Sequence, residues 1–251
     1  METLRRHWAC KSVRDEGYHL TYLSEALAAG DPALFTEYLT WAKVFFAGLK
    51  FREDMLATTI EATREVLDET LDADQKLVLH EYLDCTLAAC HQAPSTLASF
   101  IERDDPLSAL ARGYIDALLQ GDRQSASKMI LESAGQGTDI KEIYLNVFQR
   151  SQREIGRLWQ TNQISVAQEH YCTVATQMVM SQLYPYIFAS EKNGRRMVAT
   201  CVGGELHEIG ARMVADFFEI DGWETYFLGA NTPWRLSCAQ SRSAMRMCWP
   251  Y

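Results

Sequence analysis

Residues 197–228 read MVATCVGGELHEIGARMVADFFEIDGWETYFL, and here the grammar of the chain changes. The run 197–202 is short, almost wholly apolar and rich in β-branched residues, the pattern of a strand buried on both faces of a parallel sheet. A loop, Gly203-Gly204-Glu205-Leu206-His207-Glu208, follows. Residues 209–220 then take a helical period, with Met213, Val214, Phe217 and Phe218 expected inward. Asp221-Gly222 marks a turn, and 223–228 reads as a second strand. The segment predicts one βαβ unit, the beginning of a doubly wound, Rossmann-like or flavodoxin-like fold.

Upstream of Asn193-Gly194 the chain reads as helix almost throughout, so the fold class is mainly α with an incomplete α/β segment. Asp31-Pro32 looks like an N-cap followed by proline in the first turn. Helix 33–49 then spaces Leu34, Tyr38, Trp41, Phe45 and Leu49 close to 3.6 residues apart, and 52–71 repeats the pattern with Leu56, Ile60 and Leu67. Punctuation at 91–106 suggests a boundary. Four more helices are predicted at 106–120, 122–134, 138–160 and 163–189, the last with Ala167, Tyr171, Val174, Ala175, Met178 and Leu183 on one face. Short connections between them suggest a four-helix bundle. The expected domains are an acidic helical region (1–95), a bundle (104–190) and a partial α/β domain (194–251).

Composition narrows the function. With 47% hydrophobic and 23% charged residues in 251, the chain is that of a folded globular protein. No stretch reaches the roughly 18 apolar residues of a membrane span, and the N-terminus lacks a signal core. Seven scattered cysteines without a CxxC pair argue for a reducing, cytoplasmic setting and against a disulfide framework. Cys85 and Cys90 are read as packing residues. The net charge of −9 is concentrated early: residues 1–95 hold nine Lys and Arg against 16 Asp and Glu. Such a surface repels phosphate backbones, so direct DNA contact is not expected there. No nucleophile elbow, phosphate loop or HExxH occurs, so the chain is not expected to be an enzyme.

Two patterns could carry chemistry. Glu205-x-His207-x-x-Gly210 lies just past a predicted strand, where open α/β sheets bind ligands. A carboxylate two residues before a histidine can hold one ring nitrogen and leave the other as a metal-binding lone pair. Gly210 would let a bulky group approach the helix start. The second pattern is Trp159-x9-Glu169-His170, with Trp159 closing one bundle helix and the acid–histidine pair opening the next. Taken singly, each pattern also suits ordinary roles: a solvated surface histidine, a core tryptophan, an acid favoured near a helix N-terminus.

In this order and spacing the two patterns resemble cobalamin-binding signalling proteins, especially the adenosylcobalamin light sensors related to the CarH and LitR transcription regulators. The resemblance covers residues 104–233. It implies that His207 is the lower axial ligand of cobalt, that Glu205 orients it, and that Trp159 caps the upper corrin face with Glu169 and His170 nearby. It implies adenosylcobalamin as cofactor and a bundle that moves when light breaks the cobalt–carbon bond. The chain departs from that family in three ways. The acidic segment 1–95 stands where the DNA-binding module would be, leaving room for a second pigment such as a bilin. Gln160 follows Trp159 where the light sensors have a histidine. The Ser-x-Leu and Gly-Gly motifs expected after the third and fifth strands are missing. The tail 234–251, with three Arg and no acid, reads as a truncated or frame-altered end, and weak or absent cobalamin binding is expected from it. A corrinoid carrier for methyl transfer and a cofactor-free helical interaction module are the competing readings. The output partner and any homo-oligomer are left open.

Overall fold

The computed structural model describes residues 2–101 and 107–233, with side chains from residue 16 onward. The tail 234–251, the punctuation at 103–106 and the Cys10 side chain lie outside the described residues. The chain divides into two compact units, Met1–Ala98 with Arg157–Ile164, and Ser99–Gly156 with Ser165–Tyr251.

The first unit is built on α1 (Glu2–Ala29), α2 (Pro32–Gly48), α3 (Met55–Asp68) and α4 (Ala73–Gln92). Asp31 caps α2 as its sequence predicts, accepting the Ala33 N–H at 2.9 Å. Asp72 and Gln75 close a capping box at the start of α4. Phe35, Leu39 and Ala42 of α2 join Leu23, Leu56, Ile60, Leu79 and Leu83 in one core. Removing each of these Leu, Ile and Phe side chains from water is worth about 1.5–3 kcal/mol. The inward face of α2 is therefore one residue on from the expected one: Leu34 and Trp41 are exposed. A helix apolar on most of its circumference does not reveal its core face by period alone. Lys43 fastens α2 to the end of α4, donating to the carbonyls of Cys90, His91 and Ala93. These are C-terminal carbonyls without helical partners, where a cation is favoured. Cys90 packs as expected, whereas Cys85 is exposed.

The second unit holds the bundle: α5 (Ser108–Leu119), α6 (Arg123–Gly135), α7 (Ile140–Glu142) and α9 (Val166–Gln182). Between α7 and α8 (Arg150–Gln160) the backbone runs as a π-helical segment, Ile143–Gln149. That segment points Ile143, Tyr144, Val147 and Phe148 inward. Gly121 (φ +78°) and the Asp122 cap on Ser125 separate α5 from α6, as the sequence indicates. The cap of α7 is Asp139, which accepts from Lys141 N. Helix α9 buries Cys172, Ala175, Thr176, Val179 and Met180, while the expected Val174 and Met178 are exposed.

After the short α10 (Tyr184–Ile187) come β1 (Arg196–Ala199), α11 (Ile209–Ile220) and β2 (Glu224–Phe227). The strands are parallel, with Arg196 opposite Glu224 and Ala199 opposite Phe227. This is the predicted βαβ unit, and the fold class is as read: mainly helical with a small parallel sheet. The strands are not buried on both faces, however, and Val198 is 39% exposed. The face carrying Val198 instead presents a cross-strand trio in which Glu224 accepts from Arg196 and Tyr226. Val214 of α11 also lies outward, and the side chains buried near it include Asp216 and Glu219. Among the described residues, no helix is long and apolar enough to cross a membrane.

Candidate functional site

The loop 200–208 leaves the carboxyl end of β1, and 229–232 leaves that of β2. Parallel strands bring the two loops side by side, and hydrogen bonds stitch them together. Cys201 N donates to Gly229 O at 3.1 Å, and Asn231 N donates to Glu205 O at 2.9 Å. Gly204 N donates to Asn231 Oδ1 at 2.8 Å. Gly204 (φ +88°) and Asn231 (φ +51°) both take the left-handed conformation, which their residue types tolerate.

On this base the predicted pair forms. His207 Nδ1 lies 2.7 Å from Glu205 Oε1, and the His207 N–H donates to the same oxygen at 2.6 Å. These contacts hold the Glu205 carboxyl below the usual carboxylate range, the backbone N–H first and the imidazole second. An ionised carboxylate can only accept, so Nδ1 carries the proton and Nε2 presents a lone pair. The imidazole is 97% exposed, so the lone pair is accessible. A Cβ built on Gly210 would meet nothing within 4 Å, and the helix start is open. Among the described residues, no group of three or more His, Cys, Asp and Glu could hold a metal ion. His207 can thus offer a metal one ligand, and the other coordination positions would have to arrive with the metal.

Beneath the loop, burial pushes the Cys201 thiol up, helped by Glu208 and Glu205. Glu208 was not singled out by sequence. It accepts from Gln177 Nε2 of α9 at 2.9 Å and from Ala230 N at 2.8 Å. Further along α11, Arg212 donates to Gln177 O and Ser181 Oγ, and Asp216 accepts from Tyr144 OH at 2.8 Å. Glu208, Arg212 and Asp216 are spaced by four, which puts them on one face of the helix. Their partners are 22 to 72 residues away in sequence, so only the fold reveals the stripe.

In the second pattern, Glu169 and His170 are in contact with each other. Glu169 and His170 lie in the first turns of α9, with His170 Nδ1 2.5 Å from Glu169 Oε2. Thr173 Oγ1 donates to Glu169 Oε1 at 3.1 Å. Trp159 lies near the end of α8 and belongs to the first unit, where its half-buried ring packs against Trp41 and Phe45. Centroid separations of 6.1 and 5.6 Å fit tilted aromatic contact.

Comparison with known proteins places these observations. Residues 110–184 match the family model described as a B12 binding domain. No curated protein matches the sequence. Among solved structures, the chain is similar to a monomethylamine corrinoid protein from Methanosarcina barkeri, with 19% identity and a TM-score of 0.44. That alignment covers 50% of this chain and 59% of the other. A methanol:cobalamin methyltransferase complex from the same organism aligns at 15% identity and TM-score 0.35, over 72% and 65%. A cobalamin-binding protein from Desulfitobacterium hafniense DCB-2 aligns at 18% identity and TM-score 0.30, over 54% and 64%. The chain spans less than two thirds of the length of each of these structures. The match at 110–184, lying wholly in the helices that precede the Glu205–His207 loop, supports a cobalamin-binding family.

Proposed function

We propose that this chain binds cobalamin, weakly, through His207 and acts as a regulatory rather than catalytic protein, responsive to the adenosyl form of the cofactor or to light. The observation that carries the reading is the Glu205–His207 pair, an exposed imidazole whose Nδ1 is held 2.7 Å from the acid. The family match supports it from a separate stretch of sequence. The residues present fit a flat, pre-chelated metal: one imidazole donor, open space at Gly210, and no side-chain set competing for a free ion among the described residues. When bound, cobalamin would supply a cobalt–carbon bond that light can break. The chain's own part is to hold and aim the donor. Glu205 holds the Nδ1 edge of the ring and leaves Nε2 as the donor. Trp159, Glu169 and His170 are assigned to the opposite side of the cofactor by the resemblance of their spacing.

Two measurements test the reading. Cobalamin in excess, titrated in the dark and followed by visible absorption, should give a His-bound spectrum that His207→Ala abolishes. Identical spectra for the two proteins would remove His207 as ligand. Illumination with green light should then change the adenosylcobalamin spectrum of the wild-type chain. A preference for methylcobalamin with no light response would favour methyl carriage instead. Replacing Trp159 by Ala, with Trp159→Phe as the control that keeps a ring among Trp41 and Phe45, should lower adenosyl-over-methyl discrimination severalfold. Unchanged discrimination in a folded Trp159→Ala protein would refute the cap.

A further inference from the structure

Glu208 follows the proposed ligand directly, and its carboxylate joins three segments. It stands at the cap position of α11 yet caps nothing with its side chain. Instead Oε1 takes the Gln177 amide of α9, and Oε2 takes the Ala230 N–H beyond β2. Gly229 makes the approach possible, since at φ +81° a Cβ there would sit 3.2 Å from Oε2. The His207 carbonyl is itself engaged by the Cys201 thiol, which lies 3.8 Å away. On α9, Gln177 falls in register with Thr173 and Glu169, four residues apart each, and Thr173 is hydrogen-bonded to Glu169. Gln177, the partner of the residue after His207, thus shares one stripe of α9 with Thr173 and Glu169.

We infer that Glu208 is a positioning residue that couples the His207 loop to bundle helix α9 through the Gln177–Glu208–Ala230 clasp. The inference rests on the cobalamin reading for what the loop holds, though not for the coupling itself. Coupling of this kind is reciprocal: what loosens α9 must loosen the loop, and the reverse.

The test needs no ligand for its first arm. Hydrogen exchange is compared in wild type, Glu208→Ala and Gln177→Leu. Glu208→Ala should speed exchange severalfold in 173–182 as well as 226–232. Gln177→Leu, made on α9, should speed exchange severalfold in 200–208 and 226–232. The decisive control exchanges the partners. Gln177→Glu alone sets a carboxylate against the Glu208 carboxylate and should behave like Gln177→Leu. Glu208→Gln combined with Gln177→Glu restores both hydrogen bonds and should return exchange to within about twofold of wild type. Exchange in 200–208 and 226–232 that ignores Gln177→Leu, or a double variant no better than the single, overturns the coupling. In the second arm, Glu208→Ala should bind cobalamin about tenfold more weakly while reaching the wild-type His-bound spectrum at saturation. An unchanged affinity overturns the positioning role. A wild type without any His207-dependent spectrum defeats the cobalamin reading alone, and the exchange arm still decides the clasp.

Discussion

Gly222→Ala is expected to destabilise the fold by about 3 kcal/mol, near the top of the usual range for one substitution. Gly222 follows α11, at φ +84°, where an L side chain is strained by about 1 kcal/mol. The larger part is steric. A Cβ there would lie 2.5 Å from the Glu191 carbonyl oxygen, well inside contact distance. That oxygen is backbone and cannot swing aside. The Asn193 N–H bonds to Gly222 O at 2.8 Å, so the two segments enter the sheet as a pair. Displacing the turn shifts β2 against β1, and with it Gly229, Ala230 and Asn231, the partners of Cys201, Glu208 and Gly204. Urea denaturation followed by tryptophan fluorescence should show the loss, and Gly204→Ala should not match it, because a Cβ there meets nothing within 4 Å. A Gly222→Ala protein with wild-type stability would show that the turn can be rebuilt.

Asp216→Leu is expected to cost about 3 kcal/mol, the scale for removing one member of a buried charge pair. The carboxylate is 3% exposed, accepts from Tyr144 OH and lies 3.9 Å from Arg212 Nε. Its loss leaves the buried Tyr144 hydroxyl without its acceptor and the largely buried Arg212 guanidinium without a nearby counter-charge. Asp216→Asn separates charge from hydrogen bonding, since its carbonyl can still accept from Tyr144. Burial pushes the Asp216 carboxyl above the usual value of 3.8, against the opposing pull of Tyr144 and Arg212. The folded state therefore binds this proton more tightly than the unfolded state. Stability from this group is complete below pH 3.8 and is lost as pH rises through the folded value. Asp216→Asn lacks that loss, so its stability relative to wild type should improve over the same rise and then level off. Denaturation midpoints from acid to neutral pH check the sign. A wild type gaining on the Asn variant over that window would contradict it.

Local signals were legible in the sequence, and distant ones were not. Glu205 and His207 are two residues apart in a loop whose place after a strand is a property of the β-run itself. Their contact needs little from the rest of the fold. The caps at Asp31 and Asp122 were readable for the same reason. Faces of helices were harder. In α2, Leu34, Tyr38, Trp41, Phe45 and Leu49 form as good a period as Phe35, Leu39 and Ala42, and only packing against α4 decides between them. Two members of the first set, Trp41 and Phe45, meet Trp159 from more than a hundred residues downstream. The strands were read as doubly buried because an apolar run reports composition, not how many layers cover it. Asp216 and Glu219 were read past because a charge on a helix is ordinarily solvated. Their burial depends on Tyr144, Lys192 and Thr225, none of them a neighbour in sequence.

The stripe of Glu208, Arg212 and Asp216 bears on how α11 could part from the bundle. A joint made of oil resists separation in proportion to the area it wets, and denaturant weakens it accordingly. One made of a carboxylate, a guanidinium and a phenol returns each group to water that welcomes it. Excursions confined to this seam's Glu208–Gln177 end would bare little new hydrocarbon and scarcely respond to urea, whereas parting at Tyr144, buried with its ring on Phe217, would bare aromatic surface and respond steeply.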